Sequence, residues 1–202
     1  MPKKAMFIET IKIYNGKIYN IEWHNRRCNH TRQAFFTDIT PLQLQQQIEP
    51  PSKGLFRCRV VYAKEILSIE YIPYQAKKIR SFNIVQSNIE YNYKYANREV
   101  LESLKEGYCP SQEIIIEKDG LLTDTTIANI AFYDGRGWIT PTTPLLEGTM
   151  RMKLLNSGFL KQKDIKSEDI KHFSNFALMN AMIGFQIQKS RTKIITKESQ
   201  CL

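Results

Sequence analysis

The chain contains few of the residues that build metal centres and disulfide frameworks. It has four cysteines and three histidines among 202 residues, widely spaced and without a Cys-x-x-Cys pair. Structural zinc sites use cysteine and histidine ligands at short, regular spacings. The sequence therefore predicts no bound metal, and it favours reduced cysteines, most of them buried.

Long apolar runs are absent as well. No stretch approaches the roughly 18 apolar residues that a membrane-spanning helix requires. Near the start of the chain, Glu9 interrupts the apolar stretch that a secretory signal peptide would need. The sequence therefore predicts a cytoplasmic protein that has no membrane partner.

The charge is strongly of one sign, with a formal net charge of +9 at pH 7. A basic surface can bind nucleic acid because it releases counterions from phosphate. Here, however, the lysines and arginines are spread along the chain, and no helix-turn-helix, finger or aromatic-basic RNA motif accompanies them. We expect no nucleic-acid partner, since a basic protein that handles an anionic cofactor and carboxylate substrates explains the charge as well.

The hydrophobic pattern predicts an α+β protein with two unequal lobes. Alternating residues predict hairpins over 6–23 and 55–73, the first of them turning at Asn15-Gly16. Capping and turn residues together with helical spacing predict four helices, over 23–36, 42–47, 97–106 and 148–156.

The polar stretch Gln86-Ser87-Asn88 is the best candidate for a domain boundary. It would separate a small N-terminal α/β domain, residues 1–86, from a larger C-terminal domain, residues 87–202. A chain of this length fits one large domain or two small ones, and a hydrophobic content of 42% is that of an ordinary globular protein.

Three short segments carry the chemistry. Lys94 lies between two tyrosines, and Asp124 lies among threonines. Gly148 opens a predicted helix, where a glycine lets the backbone approach an anion closely. Each has an ordinary explanation, because such a lysine is normally solvated, such an aspartate caps a turn and such a glycine ends a loop. Together they supply an amine, a carboxylate and backbone donors. Those groups can hold an aromatic phosphate cofactor and form an imine with its aldehyde.

Taken in chain order, the motifs resemble those of the fold-type IV, class IV aminotransferase-like enzymes, which use pyridoxal phosphate (PLP). The elements that carry the resemblance are Phe7-Ile8-Glu9-Thr10, His24-Asn25-Arg26-Arg27, Lys94-Tyr95-Ala96-Asn97-Arg98, Thr123-Asp124-Thr125-Thr126-Ile127-Ala128-Asn129, Thr140-Pro141 and Gly148-Thr149-Met150-Arg151. The resemblance runs from about residue 6 to residue 188. It implies the two-lobed fold of D-amino acid aminotransferase-like enzymes, a PLP-binding C-terminal domain and a homodimer.

Carried onto this chain residue by residue, the resemblance implies a role for each motif. Lys94 would be the catalytic lysine that binds PLP as a Schiff base and moves the substrate proton. Asp124 would pair with the ring nitrogen, and Arg27 would contact the phosphate. The other cofactor-binding candidates are Asn129, Gly148, Thr149 and Met150, and the substrate-side candidates are Thr10 and Arg98.

The chain also departs from the family pattern. Asp124 stands where most members have glutamate, so this carboxylate is one methylene shorter. Asn180 lacks the hydroxyl that many members offer to the phosphate. Only six residues precede Phe7, fewer than in most members, which implies an N-terminally shortened version of the fold.

The resemblance leaves three functions open for a small amino substrate that carries a carboxylate. The Lys-x-x-Asn-Arg and Gly-x-Met-Arg details favour a 4-amino-4-deoxychorismate lyase, which releases pyruvate and forms 4-aminobenzoate for folate biosynthesis. The alternative is a class IV aminotransferase that acts on D-amino or branched-chain amino acids. A third reading is a basic binding module whose PLP-type core does not react.

Overall fold

The structure is a computed structural model that describes residues 5–188 and 193–195. Spatial contacts divide the chain into two compact units. The first consists of the chain up to Ala76 together with Tyr93–Asn97, and the second consists of Lys77–Asn92 and the chain from Arg98 onward. Lys94 therefore groups with the N-terminal unit by its contacts, whereas the domain boundary between residues 86 and 87 remains a prediction.

The first unit is built on a four-stranded antiparallel sheet with the order β2-β1-β3-β4. Its strands are β1 (Phe7–Tyr14), β2 (Lys17–Ile18), β3 (Leu55–Tyr62) and β4 (Ile66–Pro73). Both predicted hairpins are present. Asn15 and Gly16 have φ values of 46° and 78°, and two successive positive values are what a tight two-residue hairpin turn requires.

One helix, α1 (Ile21–Phe35), lies in this unit. It buries His24, Cys28, Thr31 and Arg32, whose spacing follows one helical face. The helix predicted over 42–47 is wrong beyond a single 3₁₀ turn at Leu44–Gln46. Pro50 and Pro51 follow closely and disfavour helical backbone.

The core of the first unit lies between the sheet and α1. Its fully buried apolar side chains come from both elements and from the 3₁₀ turn, and they include Phe7, Ile11, Ile13, Cys28, Leu44, Cys58, Val60 and Tyr62. Tyr93 and Tyr95 pack against this cluster, so the segment around Lys94 is held by the core of the first unit.

The second unit contains a nine-stranded mixed sheet. Its strands are β5 (Ser81–Gln86), β6 (Gln112–Lys118), β7 (Leu121–Thr125), β8 (Asn129–Tyr133), β9 (Trp138–Pro141), β10 (Leu160–Lys163), β11 (Asn175–Asn180), β12 (Gly184–Ile187) and β13 (Lys193–Ile195). The main path runs β10-β9-β8-β7-β6-β5-β13, and β11 pairs with both β8 and β12. Together with the sheet and helix of the first unit, this arrangement gives a mixed α/β fold.

Among the described residues, the second unit contains two α-helices, α2 (Glu99–Ser103) and α3 (Thr149–Asn156), and a 3₁₀ helix over Ser167–His172. The helix predicted over 148–156 is confirmed within one residue. The helix predicted over 97–106 is shorter than expected. After Ser103 the chain continues in turns, in which the N–H groups of Lys105 and Glu106 donate to the carbonyls of Glu102 and Ser103, and these turns end at Gly107, which has φ 85°. In the described parts of the chain, no helix combines the length and apolarity needed to cross a membrane.

Candidate active site

The hairpin of β7 and β8 sets the spacing of Asp124 and Asn129. The two residues lie directly opposite each other in the antiparallel pairing, and the four residues between them form the turn. Within it, the N–H of Thr125 donates to the carbonyl of Ala128 at 2.9 Å, and the N–H of Ala128 donates to the Thr125 hydroxyl at 2.9 Å. Opposed residues present their side chains on one face, so a spacing of five places the carboxylate beside the amide.

Asp124 is buried, and its carboxylate accepts hydrogen bonds from neighbouring donors. It is 3% exposed. Asn129 Nδ2 donates to Oδ1 at 2.7 Å, and the backbone N–H of Leu146 donates to Oδ2 at 2.8 Å. Burial raises the pKa of the Asp124 carboxyl to about 6, although these donors and the charge of Arg151 act in the opposite direction. A nearby positive group, such as a protonated ring nitrogen, would favour the charged form of this carboxylate.

Gly148 allows the chain to pass close to Asn129. A Cβ atom built at Gly148 would lie 2.0 Å from Asn129 Oδ1, a distance that no packing tolerates. Asn129 Nδ2 also donates to the carbonyl of Leu146 at 2.8 Å. The close backbone approach that the sequence suggested for a bound anion is therefore made, in this structure, to the side-chain amide of Asn129.

Helix α3 begins at Thr149, directly after Gly148. The first N–H groups of a helix have no partner within the helix, and Gly148, at the N-cap position of α3, has no side chain that could accept from them. Thr149 is 3% exposed, and Met150 packs against the nearby apolar cluster. Arg151 is buried, with Nη2 donating to the carbonyl of Pro141 at 2.8 Å. A helix start of this kind is suited to bind a phosphate group.

Lys94 is the central residue of a γ-turn on the edge of β1. The N–H of Tyr95 donates to the carbonyl of Tyr93 at 2.9 Å, which is the bond that defines such a turn. The N–H of Ile8 donates to the Lys94 carbonyl at 2.9 Å. The rings of Tyr93 and Tyr95 lie 6.3 and 5.2 Å from the ring of Phe7, centroid to centroid. The Lys94 backbone is therefore fixed on β1, with the side chain half-buried.

Glu9 orients Arg27 through an ion pair of two hydrogen bonds. Nε and Nη2 of Arg27 donate to the two carboxylate oxygens at 2.8 and 2.6 Å, and His24 Nδ1 lies 2.6 Å from Oε2. Burial would raise the pKa of Glu9, but Arg27 and His24 outweigh it and lower the pKa to about 2. Burial lowers the pKa of His24, with a smaller contribution from the charge of Lys94. A neutral His24 that donates from Nδ1 is consistent with both shifts.

The two substrate-side candidates lie in different surroundings. Thr10 is half-buried on β1, opposite Arg59 of β3. Arg98 Nη2 donates to the carbonyl of Thr126 at 2.8 Å, and its Nε lies 3.7 Å from a carboxylate oxygen of Glu102. Arg98 is thus engaged with the turn that links β7 and β8.

The predicted residues fall into two groups, one in each unit. The second unit brings together Asp124, Asn129, Gly148 and the start of α3, all linked through the segment around Leu146. The first unit contains Lys94, Arg27 and Thr10. Across residues 5–188 and 193–195, no cluster of three or more histidine, cysteine, aspartate or glutamate side chains is placed to hold a metal ion.

Two residues with direct roles in this geometry were not assigned by the sequence. The sequence indicates Glu9 only as a break in an apolar stretch and as part of a motif, although an acidic residue inside an apolar strand is itself a signal of a buried ion pair. Leu146 contributes only its backbone N–H and carbonyl, which no side-chain pattern reveals.

Comparison with known proteins identifies the family. The family model described as amino-transferase class IV matches residues 63–190, which is more than half of the chain. A protein from Haemophilus influenzae, itself uncharacterised, is 38% identical over 184 residues that cover 87% of this chain and 97% of the relative. The chain belongs to the class IV aminotransferase family.

Two solved structures show the same fold. A protein from Haemophilus somnus 129pt, provisionally named 4-amino-4-deoxychorismate lyase, has a TM-score of 0.81 and 33% identity, with 91% of this chain and all of that chain covered. A provisionally named amino-acid aminotransferase from Mesorhizobium loti has a TM-score of 0.80 and 18% identity, covering 95% and 100% of the two chains. The second likeness concerns the fold alone.

Membership of this family makes the chain a PLP-dependent enzyme. The residues described above fit that cofactor. A buried carboxylate with a raised pKa, Asp124, suits a cationic ring nitrogen, and the uncapped start of α3 suits a phosphate. In the first unit, Lys94 carries an amine on a fixed backbone, and Arg27 carries a guanidinium that Glu9 orients.

Proposed function

We propose that this protein is a 4-amino-4-deoxychorismate lyase, which converts its substrate into pyruvate and 4-aminobenzoate. The observation that carries the proposal is the 33% identity, over the whole of the relative's chain, with the Haemophilus somnus protein of that provisional name. The Lys94-x-x-Asn97-Arg98 and Gly148-x-Met150-Arg151 elements support the same choice.

Lys94 is the residue that we assign to covalent attachment of the cofactor and to proton transfer. Its backbone is held by the γ-turn and by the bond from Ile8, so the amine starts from a fixed point. A lysine can act as a base only when its amine is neutral. Released from the cofactor by the substrate amine, it would take the proton from the substrate carbon.

Arg27 is assigned to the phosphate of the cofactor. Its two bonds to Glu9 fix the plane of the guanidinium, and a fixed guanidinium binds phosphate with less loss of side-chain freedom. We also assign the N–H groups at the start of α3 to cofactor binding, because a helix start favours an anionic group.

Asp124 is assigned to the ring nitrogen, where its negative charge would keep the nitrogen protonated. When bound, PLP supplies a ring that accepts the electrons left behind as the substrate proton departs. Asn129 holds the carboxylate of Asp124 in place. In the lyase reaction, the bond between the ring carbon and the enolpyruvyl oxygen breaks, the ring becomes aromatic, and the departing enolpyruvate takes up a proton to give pyruvate. No second substrate is consumed.

The experiment that tests the proposal supplies 4-amino-4-deoxychorismate to the PLP-loaded protein without any keto acid. We expect stoichiometric release of pyruvate and 4-aminobenzoate, and no release with the Lys94→Ala variant. Strict dependence of turnover on 2-oxoglutarate, with an amino acid as donor, would refute the lyase and establish the aminotransferase. Binding of PLP without either reaction would establish the non-catalytic binding protein.

The family resemblance also underlies our proposals on assembly and location, a homodimer in the cytoplasm. Light scattering of the purified PLP-loaded protein tests the first of these. A mass of twice 23.6 kDa is expected, and a monomer at micromolar concentration would contradict it.

A further inference from the structure

The turn that joins Asp124 to Asn129 is fastened to the rest of its unit at two successive residues. The hydroxyl of Thr126 donates to Glu113 Oε1 at 2.7 Å, and the carbonyl of Thr126 accepts from Arg98 Nη2 at 2.8 Å. The next carbonyl, that of Ile127, accepts from Asn180 Nδ2 at 3.1 Å. These bonds involve side chains that lie far from the turn in the sequence.

Glu113 is the anchor of this network. It is 1% exposed and accepts from three donors: the Thr126 hydroxyl, its neighbour's N–H at Ile114 and Lys105 Nζ, the last at 2.9 Å. A buried carboxylate costs a large desolvation free energy unless it is paired and hydrogen-bonded. The position of Glu113, and of whatever it binds, is therefore tightly determined.

Asn180 is held equally well. Its Oδ1 accepts from the backbone N–H groups of Met182 and Ile183 at 2.9 and 3.0 Å, which leaves Nδ2 directed at Ile127. The asparagine that replaces a hydroxyl residue of the family pattern is thus engaged with the same turn as Arg98.

We propose that Arg98, Glu113 and Asn180 are positioning residues, which form a clamp on the Thr125–Ala128 turn and thereby place the Asp124 carboxylate for the cofactor. This assigns Arg98 to the cofactor side through Thr126, not to the substrate. The inference rests on the proposed role of Asp124. It deepens that role by naming what fixes the carboxylate in space.

The short side chain of Asp124 explains why such a clamp is needed. Aspartate has one rotatable bond fewer than the glutamate of the family pattern, so it cannot correct an error in backbone position by changing its rotamer. Placement of the carboxylate then depends on the backbone of β7 and on the turn. A shift of about 1 Å at a catalytic group can cost a large factor in rate.

The test measures how PLP binds to single variants of the clamp. Arg98→Gln removes the charged donor, Thr126→Val replaces the hydroxyl by a methyl group of similar size, and Arg98→Lys restores a charged donor. Arg136→Gln is the matched control, because it removes an arginine from an exposed turn elsewhere in the same unit. Cofactor-free proteins are titrated with PLP, and both the dissociation constant and the position of the visible absorption band are recorded.

We expect Arg98→Gln and Thr126→Val each to weaken PLP binding by about tenfold, the factor that corresponds to one lost hydrogen bond to a charged group. Both should move the absorption band in the direction that Asp124→Ala moves it. Arg98→Lys should recover part of the affinity, and Arg136→Gln should match the wild type.

Two results would overturn the inference. If Arg98→Gln raises KM for the amino substrate but leaves PLP affinity and the band unchanged, Arg98 is a substrate residue. If Thr126→Val, folded by circular dichroism, binds PLP as the wild type does, no clamp operates. The Asp124→Ala variant distinguishes failure of the clamp from failure of the role assigned to Asp124. If Asp124→Ala changes PLP affinity and the band but Arg98→Gln does not, only the clamp is refuted. If Asp124→Ala changes neither, the assigned role of Asp124 is refuted as well.

Discussion

Replacing Gly148 by alanine should damage the site through one identifiable collision. The backbone at Gly148 has φ −72° and ψ 142°, values that alanine adopts without strain. The new Cβ, however, would lie 2.0 Å from Asn129 Oδ1. The amide of Asn129 must therefore move, and with it the bonds to Asp124 at 2.7 Å and to the Leu146 carbonyl at 2.8 Å.

The expected loss follows from those two bonds. A hydrogen bond to a charged group contributes about 1.5–3 kcal/mol, and one between neutral groups contributes about 1 kcal/mol. Loss of both would lower the free energy of unfolding by about 2–4 kcal/mol. Since Asn129 positions the carboxylate of Asp124, PLP affinity should fall as well, by tenfold or more if about 1.4 kcal/mol of that loss falls on the bound state.

Urea denaturation and PLP titration of Gly148→Ala provide the assay, with Gly137→Ala as the control. Gly137 has no atom within 4 Å of a built Cβ and no positive φ, so its replacement should be nearly neutral. In an Asn129→Ala background, Gly148→Ala should cost little, because the obstructing amide is gone. A cost for Gly148→Ala no larger than that for Gly137→Ala would refute the collision.

Three further predictions concern titration and reactivity. The pKa of Glu9, about 2, lies below its ordinary value of 4.5, so about 3 kcal/mol of stability should be lost as the pH falls from 4.5 to 2. Urea denaturation at several pH values should show this loss in the wild type but not in Glu9→Gln. The same pH dependence in both proteins would contradict the prediction. The pKa of Asp124 is raised to about 6, so the stability of the cofactor-free protein should fall as the pH rises from about 4 to 6. Asp124→Asn should remove this pH dependence. If the variant keeps it, Asp124 is not its source. A thiol reagent should modify the exposed Cys109 in the native protein. Cys28 and Cys58 are buried, and burial raises their pKa values to about 12, so they should react only after unfolding. Peptide mapping that finds Cys28 labelled in the native protein would contradict this.

Local patterns in the sequence were sufficient for the hairpins. Asn15 and Gly16 have the residue types that a two-residue turn demands, and the turn forms. Asp124 and Asn129 lie opposite each other in a hairpin, so their proximity depends on residues that are close together in the sequence. By contrast, the stretch over 42–47 is short and mostly polar, so it has little apolar surface to stabilise a helix, and Pro50 and Pro51 disfavour any extension of it.

The partners that hold the site could not be predicted because they arrive from distant parts of the chain. Leu146 binds Asp124 through its backbone, and Glu113 meets Thr126 across strand pairing. The sequence indicates that Gly148 lets the backbone approach an anion. In the structure, the space that a side chain at Gly148 would need is occupied by the amide of Asn129. Such contacts depend on tertiary packing, which residue types at fixed spacing do not encode.

The most direct measurement of the central claim is reduction of the PLP-loaded protein with borohydride, followed by peptide mapping. If Lys94 holds the cofactor, a single phosphopyridoxyl label should appear on the peptide that contains Lys94, and the visible absorption band should be absent from Lys94→Ala. A label on another lysine, or an unchanged band in Lys94→Ala, would contradict the account.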